Sequence, residues 1–507
     1  MNPYRTQAAK SHGSRMKSGM TTNLKVSIHM KITIKSIATS ALFCWATGLF
    51  VTTAWAALPI QKFVLPNGAV VHLVESPAIA MLDVQVDFDG GSRRDPAGKA
   101  GLASMMAAQL ENGVAARGSG RGAGPSQGAQ APSGGSVVRV ATSVGAYDSA
   151  LDENALGEAW ADLGAEFGAS AGADRLSFTL RTLTEPDLLA KAVTLAGRQI
   201  GAPAFTESVW QRDRQKVLAS LKESDTRPST LAQRAYGKAV YGSHPYGYEM
   251  TAASAVNINV ADMRAFYAAS VVACRARINL VGAVNRAQAE QIASALLAQL
   301  PQVACASLSA LPAVAEVAPL PQASQQTIAF DAAQAQVLVG QPGYRRNDPD
   351  FFTMLVGNYI LGGGGFVSRL MNEVREKRGL TYGVYSSFTP GLHAGAFTVS
   401  LQTRPDQATA ALAVTRQVIA EFVANGPTEL EVKAAKDNLI GGFALLIDSN
   451  RKLLGNISNI AWNTLSLDYL DTWQARVEQV TASDIKAAMA AKLQPDKMVT
   501  IVLGAKP

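Results

Sequence analysis

Two stretches of this chain decide its fold: "ADMRAFYAASVVACRARINLVGA" at residues 261–283 and "SDIKAAMAAKLQPDKMVTIVLGA" at residues 483–505. Each predicts a helix followed by an apolar strand that ends in glycine. In each, an aspartate (Asp262 and Asp484) lies 20 residues before that glycine, so a shift of 222 positions relates the two stretches. The chain therefore contains an internal repeat.

Two further pairs of segments support the repeat. The helical pattern that opens with Thr-Glu at 206–224 recurs at 428–447 with the same shift of 222. Upstream, "SFTLRT" at 177–182 matches "TVSLQT" at 398–403 with a slip of one residue. Agreement of several elements at nearly one offset predicts a tandem duplication with halves of about 220 residues.

Within each half, strand patterns such as "AVVHLVE" at 69–75 and "HAGAFTVSLQT" at 393–403 lie among longer helical patterns. Strands cluster at the start, middle and end of each half, with helices between them. This order predicts an α+β fold of two tandem homologous domains, each a largely antiparallel sheet packed with helices.

The domain boundaries follow from composition. We expect an N-terminal domain over 57–306, a Pro/Ala-rich linker over 307–322 and a C-terminal domain over 323–507. The segment at 114–137 is almost entirely Gly, Ala, Ser, Pro and Gln, so it cannot contribute to a core, and we expect a surface loop.

The charge of the chain is concentrated in its first residues. Lys and Arg number 46 against 39 Asp and Glu, a net charge of +7. Residues 1–56 hold 7 of the basic residues and no acidic one, which leaves 39 of each sign in the remainder. A neutral body of this kind gives no support to a nucleic-acid-binding function.

Those first residues predict a signal peptide. A basic segment after Met30 precedes the apolar run 37–51 and the small-x-small motif 54–56, so we expect cleavage between Ala56 and Ala57 and a periplasmic or secreted protein with no remaining membrane span. An uncleaved membrane anchor is the alternative, although the apolar run is short for a span. Met30 is an alternative start.

Two cysteines, Cys274 and Cys305, remain after the leader, which carries Cys44. An exported protein allows a disulfide between them, but two free buried thiols are the simpler interpretation. The chain contains no C-x-x-C motif, which argues against a thiol redox or zinc-ribbon function.

The histidines do not predict a metal site. After the leader the chain has His72, His244 and His393, which are far apart and form no pair at helical spacing. Zinc hydrolases usually hold the ion with two ligands at i and i+4 of one helix. We expect His244 to fix a loop and attach no function to the other two.

Four motifs nevertheless resemble a peptidase family. They are "FVLPNGAVVHLV" at 63–74, "GGSRRDPAGKAGLA" at 90–103, "HPYG" at 244–247 and "GGGGFVSRLMNEVREKRGLTYGVYS" at 362–386. They are similar to the pitrilysin/insulinase superfamily of metallopeptidases, in its two-repeat, mitochondrial-processing-peptidase-like branch. The resemblance covers about residues 62–505.

The resemblance also shows what is missing. Active members follow Gly-Leu-Ala with H-x-x-E-H, in which two histidines bind zinc and the glutamate activates water. Here the ligand positions match Ser104 and Ala108, the general-base position matches Ala107, and the third ligand aligns with Ser220. The resemblance therefore implies a degenerate site that binds no metal and has no activity of its own.

A second group of residues from the resemblance is retained. The C-terminal repeat of the family supplies an Arg and a Tyr seven positions apart, which match Arg375 and Tyr382. These groups could donate hydrogen bonds to a substrate carbonyl and its developing oxyanion. The apolar positions 367, 370, 371 and 374 predict a helix on a core, with Tyr382 opening the next strand. The alternative is that Arg375 belongs to a solvated charged surface and that Tyr382 is a core residue.

The glycine run before this pair consists of Gly362, Gly363, Gly364 and Gly365. It lacks the ending of a phosphate-binding loop. The resemblance implies a hinge, or a backbone surface over which a peptide substrate passes.

Together these features predict a non-catalytic, substrate-binding subunit of a heterodimeric zinc metalloendopeptidase in the periplasm. A homologous partner with an intact H-x-x-E-H motif would hold the zinc, and peptides would be held partly by strand addition to a sheet edge. The alternative is a peptide-binding or scaffold protein of the cell envelope without proteolytic activity.

Overall fold

A computed structural model of the chain describes residues 59–116 and 149–505, which form one compact unit. The predicted leader and its cleavage site lie outside the described residues, as does most of the segment at 114–137. Among the described helices, none combines the length and apolar character that crossing a lipid bilayer needs.

The strands are β1 Gln61–Val64, β2 Val70–Glu75, β3 Met81–Phe88, β4 Gly113–Val114, β5 Leu151–Asp152, β6 Glu166–Ala171, β7 Leu176–Leu183, β8 Arg277–Gly282, β9 Ser324–Ile328, β10 Ala335–Pro342, β11 Val384–Phe388, β12 Ala396–Thr403 and β13 Val499–Leu503. The helices are α1 Leu102–Gln109, α2 Glu153–Asp162, α3 Pro186–Gly201, α4 Glu207–Ser224, α5 Pro228–Tyr241, α6 Ala252–Val256, α7 Val260–Ser270, α8 Arg286–Leu297, α9 Phe351–Asn358, α10 Ala408–Asn425, α11 Glu429–Gly442, α12 Asn450–Trp462, α13 Tyr469–Gln479 and α14 Ala482–Lys492.

Two sheets organise these elements. The N-terminal sheet has the strand order β1-β2-β8-β3-β7-β6, and the C-terminal sheet has the order β11-β12-β10-β13-β9. Each contains one parallel pair, β2 with β8 and β9 with β13, and all other pairs within the two sheets are antiparallel. The predicted α+β fold with largely antiparallel sheets is confirmed.

The repeat found in the sequence appears in this topology. Strands β2, β8, β3, β7 and β6 correspond in order and direction to β9, β13, β10, β12 and β11. Helices α7 and α14 precede the matching strands β8 and β13, and both begin with a capping box in which Asp262 and Asp484 occupy the same position. A capping box satisfies two backbone N–H groups at a helix start, which explains why this aspartate is present in both halves.

The two sheets differ at one edge. In the N-terminal sheet, β1 pairs antiparallel with β2 and covers its outer side. In the C-terminal sheet, the corresponding strand β9 pairs with β13 and is the last strand on its side. Within residues 59–116 and 149–505, the C-terminal sheet therefore has five strands where the N-terminal sheet has six.

Each half contributes a helix to the sheet of the other. Helix α12 of the C-terminal half packs across β8 and β3, and α5 of the N-terminal half packs across β10 and β13. Because each helix covers a sheet face that its own half does not bury, the halves complete one another's layers.

A buried polar network holds α12 on the N-terminal sheet. The carboxylate of Asp87 on β3 accepts hydrogen bonds from Ser177 (2.5 Å) and from Ser458 of α12 (2.8 Å). Arg175 donates to the same carboxylate at 3.1 Å and to the Ser458 hydroxyl at 2.6 Å. Asp87 is fully buried, so these donors provide the compensation that a buried charge requires.

Helix α5 sits on the C-terminal sheet through apolar contacts and two tyrosines. The hydroxyl of Tyr236 donates to the carbonyl of Phe397 at 2.6 Å, and the hydroxyl of Tyr241 accepts from the amide of Ala396 at 2.9 Å. Gly340 lies beneath this contact, where a Cβ atom would collide with the Tyr236 hydroxyl and the Phe397 carbonyl. Glycine is therefore required for the close approach of helix and sheet.

Between α8 and β9 the chain forms one short 3₁₀ turn, Cys305–Ser307, in an otherwise irregular connection. Cys274, which precedes β8, forms a disulfide with Cys305. The expectation of two free thiols was therefore wrong. Sequence alone could not decide it, because a disulfide depends on whether the fold brings the two Cβ atoms together.

Candidate functional site

Helix α1 carries the degenerate metal motif, and the carboxylate of Asp95 caps its start. Asp95 accepts hydrogen bonds from the backbone amides of Gly101 (2.8 Å) and Ala103 (2.9 Å). Gly101 has a φ of 98°, and a Cβ atom there would meet the Met250 side chain at 2.7 Å. This position consequently favours glycine. Burial raises the pKa of Asp95 to about 6, against the lowering effect of the amide donors of residues 101–103.

The α1 positions that the resemblance aligns with the zinc ligands lie on the exposed face of the helix. Ser104 and Ala108 are exposed, whereas Ala107 is buried with the apolar side of the helix. Ser220, at the third ligand position, is exposed on α4. Two alanines and two serines offer neither an imidazole nor a carboxylate, so these residues do not fit zinc. Over residues 59–116 and 149–505, no group of three or more His, Cys, Asp or Glu side chains could hold a metal ion.

A polar contact joins the end of α1 to α4. Gln109 and Asn112 donate hydrogen bonds to the carboxylate of Asp213 on α4, at 2.9 and 2.8 Å. Burial alone would raise the pKa of Asp213, but hydrogen bonds from Arg212, Gln109 and Lys216 hold it well below its usual range. The two helices are thus linked by a charge-assisted contact.

The retained Arg375 and Tyr382 meet at the surface of the C-terminal half. The Cζ atom of Arg375 lies 4.9 Å from the centre of the Tyr382 ring and 4.6 Å from that of Phe366. The guanidinium is therefore flanked by two aromatic rings, a cation–π arrangement. Its charged neighbour is Glu376, whose Oε1 lies 3.5 Å from the Arg375 Nε.

Several local expectations for this segment were wrong. Strand β11 begins at Val384 and not at Tyr382 as expected, and the alternative that Tyr382 is a core residue is also wrong, because its side chain is 83% exposed. Val367 is 75% exposed, while Leu370, Met371 and Val374 are buried as predicted. The spacing predicted one regular helix, but the chain forms π-helical turns at Tyr359–Gly363 and Met371–Glu376. A π-turn widens the helical repeat, so the face assigned from a period of 3.6 no longer applies.

The glycine run packs against strand β11. A Cβ atom at Gly362 would lie 2.5 Å from the Ser386 hydroxyl and 2.6 Å from its amide nitrogen. Gly365 has a φ of 62° with open space around it. Gly362 is thus required for packing, and Gly365 for the turn that brings Phe366 to Arg375.

Two of the sheet edges, β6 and β11, are partly covered. On β6 the carboxylate of Glu111 accepts a hydrogen bond from the Ala169 amide at 3.0 Å. On β11 the Val384 amide donates to the Met371 sulfur at 3.4 Å, and Asn358 donates to the Ser386 carbonyl at 3.3 Å. A peptide adding to either edge would have to displace these partners.

Two histidines that are distant in sequence come together. The rings of His244 and His393 lie 5.2 Å apart, and Glu316 of the linker is 3.4 Å from the His393 Nδ1. The Nδ1 of His244 accepts from the Tyr246 amide, which leaves its Nε2 to donate to the Ala315 carbonyl at 3.0 Å. The pKa of His244 is lowered by burial and by His393. His244 therefore fixes the "HPYG" turn in its neutral form.

Sequence reasoning missed three contacts at this site: Phe366 against Arg375, Asp95 at the start of α1, and the pairing of His244 with His393. The glycine run directly before Phe366 was a usable signal, because a glycine-rich turn can fold an exposed aromatic residue back onto its neighbour. The other two carry no local pattern.

Comparison with known proteins identifies the family of this chain. The peptidase M16 inactive domain matches residues 257–439, a range that includes Arg375 and Tyr382. A crystal structure of a peptidase M16 inactive domain from Pseudomonas fluorescens is 33% identical and superposes with a TM-score of 0.77, covering 89% of this chain and 98% of that one. The chain therefore belongs to the M16 peptidase family, and to its inactive type.

Other relatives agree in fold. A protease from Helicobacter pylori is 18% identical with a TM-score of 0.75, covering 89% of this chain and all of that one. Over 164 residues the chain is 35% identical to an uncharacterized zinc protease of Streptomyces coelicolor, which is 32% of this chain and 35% of that protein. It is 28% identical over 188 residues to the Helicobacter pylori non-peptidase homolog YmxG, which is 36% of this chain and 42% of that protein. The chain spans 35–40% of the length of the first curated relatives that it matches.

Proposed function

We propose that this protein is the substrate-binding, non-catalytic subunit of a heterodimeric zinc metalloendopeptidase of the periplasm. A homologous partner with an intact H-x-x-E-H motif holds the zinc and the glutamate that activates water. This chain provides Arg375, Tyr382, the glycine run at 362–365 and part of the peptide-binding surface.

The single observation that carries the proposal is the contrast between two positions. The α1 helix retains its packing but has lost every metal ligand, whereas Arg375 and Tyr382 lie together on the surface with Phe366, which is 66% exposed. An exposed aromatic surface around a cation has no role in the core, and such surfaces mark interaction sites. Retention of donors without a metal is expected of a subunit that complements an active partner.

The chemical role of the pair follows from its geometry. Two rings lie against the Arg375 guanidinium, and its N–H groups can donate to a carbonyl or carboxylate of a bound peptide. The Tyr382 hydroxyl provides a further donor. In the assembled enzyme these groups would orient the substrate carbonyl and stabilise charge on its oxygen.

A co-purification and reconstitution experiment tests the proposal. The tagged chain is isolated from the envelope fraction under native conditions, and the eluate is assayed for a second chain, for zinc and for cleavage of a quenched peptide pool. We expect a stoichiometric partner with chelator-sensitive activity that is absent from the purified bait alone. A bait that elutes without a peptidase, or with one but without such cleavage, would favour a peptide-binding or scaffold protein.

Variants of the reconstituted complex then test the residues. Arg375→Ala and Tyr382→Phe should each reduce kcat/KM by about 10²-fold, the effect of removing one oxyanion donor. Arg378→Ala is the matched control, because Arg378 pairs with Glu373 at 2.7 Å and contacts neither ring. Unchanged turnover in the first two variants would exclude a role for the pair.

A further inference from the structure

In the C-terminal sheet, the outer side of strand β9 pairs with no other strand among the described residues. Strand β9 has the sequence Ser-Gln-Gln-Thr-Ile, and its first four residues are exposed. Natural edge strands are usually protected by charged residues, proline or a bulge. Strand β9 contains no charged residue and no proline, so it resembles a strand that is covered in the working protein.

The backbone of β9 is oriented to accept another strand. Its parallel register with β13 directs the Ile328 carbonyl to the Gly504 amide, at 3.0 Å. In a parallel pair, alternate residues bond to the same neighbour, so the N–H and C=O groups of Gln325 and Thr327 face away from β13. An added antiparallel strand could form hydrogen bonds with both residues.

The N-terminal half provides a template for the added strand. There β1 pairs antiparallel with β2, the counterpart of β9, and directs Phe63 into the core. The Cζ atom of Arg286 covers the Phe63 ring at 4.6 Å. The fold of this repeat therefore accepts a sixth strand whose central aromatic side chain lies under an arginine.

A matching groove is present in the C-terminal half. It lies between β9 and α10 and has an apolar floor formed by Leu412, Ala413, Val502 and Ala505. At its side Arg416 donates to the Thr500 hydroxyl at 2.7 Å and to the Gln325 side chain at 3.2 Å. Both of these partners are uncharged and Arg416 is exposed, so its guanidinium face is available to an aromatic ring.

We propose that the open side of β9 binds an extended segment of a partner polypeptide, which adds antiparallel as a sixth strand and places an aromatic side chain in the groove beneath Arg416. The occupant is a strand with a central aromatic residue, because the internal counterpart of the site holds Phe63. This surface is separate from the Arg375 and Tyr382 pair, so the proposal stands or fails independently of the proposed function.

The test uses a peptide of known sequence. The full-length chain is titrated into a labelled peptide Ile-Gln-Lys-Phe-Val, which is the β1 sequence at 60–64, and binding is followed by fluorescence anisotropy. The same peptide with Phe63→Ser is the first control. We expect saturable binding that the serine peptide loses by about tenfold or more, the cost of roughly one buried aromatic contact.

Protein variants locate the site. Thr327→Pro removes an N–H that faces the open side and none that bonds β13, so it should weaken binding by about tenfold or more without lowering the Tm by more than a few degrees. Thr327→Val keeps that N–H and should leave the Kd within about twofold. Arg416→Gln should weaken binding of the Phe peptide but not of the Ser peptide.

Three outcomes would overturn the proposal. The first is no saturable binding up to about 1 mM peptide. The second is binding to Thr327→Pro as tight as to the unmodified chain, which would place the peptide at the β1 position of the N-terminal sheet. The third is a dimer by sedimentation that Thr327→Pro dissociates in the absence of peptide binding, which would make a second copy of the chain the occupant of β9.

Discussion

The two halves of this protein share one topology but present different surfaces. In the N-terminal half, α1 buries its apolar side, while Ser104 and Ala108, which the resemblance aligns with metal ligands, are exposed. In the C-terminal half, the half-buried Arg375 lies beside the exposed rings of Phe366 and Tyr382. Exposed rings contribute little to core packing, and the function proposed above assigns this surface to substrate binding. The halves therefore differ in the surface that the proposed function assigns to substrate binding.

The halves also differ in how each holds the helix that it receives from the other. The N-terminal sheet binds α12 through the buried carboxylate of Asp87, whereas the C-terminal sheet binds α5 through apolar packing and the hydroxyls of Tyr236 and Tyr241. A buried charge is costly to leave unpaired, and a hydroxyl much less so. Mutations at these two helix–sheet contacts should therefore differ in how much they lower the free energy of unfolding.

The largest effect is expected at Asp87. Asp87→Ala should lower the free energy of unfolding by about 3 to 5 kcal/mol, because Arg175 loses its buried partner. Glu166→Ala is the matched control, since Glu166 also contacts α12, through Arg451 at 2.7 Å, but both side chains are mostly exposed. That variant should cost about 0 to 1 kcal/mol. Urea unfolding measures both, and equal costs would contradict the assigned network.

Next in size is the pH dependence of stability set by two buried groups of the N-terminal half. Burial lowers the pKa of His72 to about 4, with the charges of Lys62 and Arg277 adding to it, and burial raises that of Asp95 to about 6. As the pH falls from 6.5 to 4, the unfolded state protonates at His72 before the folded state does, and stability is lost. Over a similar window the folded state protonates first at Asp95, and stability is gained.

Two variants separate these opposing contributions, each of about 3 kcal/mol. Relative to the unmodified chain, His72→Gln should become more stable on acidification from pH 7 to pH 4.5, and Asp95→Asn should become less stable. The measurement is chemical unfolding at a series of pH values. Parallel pH profiles for the two variants would show that the groups do not titrate as described.

A smaller effect distinguishes two neighbouring alanines of α1. Ala107→Glu should cost about 2 to 3 kcal/mol, because it places a carboxylate in the core. Ala108→Glu should change stability by about 0.5 kcal/mol or less, because that position is exposed. Thermal unfolding compares them. If both were tolerated equally, the inner face of α1 would not be packed as described.

The smallest effect is expected at the contact between α5 and the C-terminal sheet. Tyr236→Phe removes the hydrogen bond to the Phe397 carbonyl and should cost about 1 to 2 kcal/mol, well below the cost at Asp87. If Tyr236→Phe lowered the free energy of unfolding as much as Asp87→Ala does, the two helix–sheet contacts would not differ as described. The same urea titration provides the value.

Much of the fold could be predicted from the sequence, because the repeated helices and strands each have a recognisable local sequence pattern. Backbone geometry requires particular residues at the same positions of each half. Asp262 and Asp484 cap a helix, and Gly282 and Gly504 adopt a positive φ at the end of the following strand. The Arg375 and Tyr382 pair was also accessible, through its spacing and its surrounding motif.

The remaining features depend on tertiary contacts. The π-turn at Met371–Glu376 replaces the expected helix because the chain must bury Leu370 and Val374 while bringing Arg375 to Phe366. The disulfide of Cys274 and the pairing of His244 with His393 join residues far apart in sequence. No local periodicity predicts such contacts, because distant elements determine them.

The exchange of α5 and α12 bears on the ancestry of the molecule. In a chain with a single copy of the repeat, one face of the sheet would have no helix packed on it, and one helix would have no sheet to pack against. Two identical copies would satisfy both only as a symmetric dimer that swaps this helix between subunits. Gene fusion of such a dimer would give the present arrangement, and would free each copy to lose whatever its twin retained.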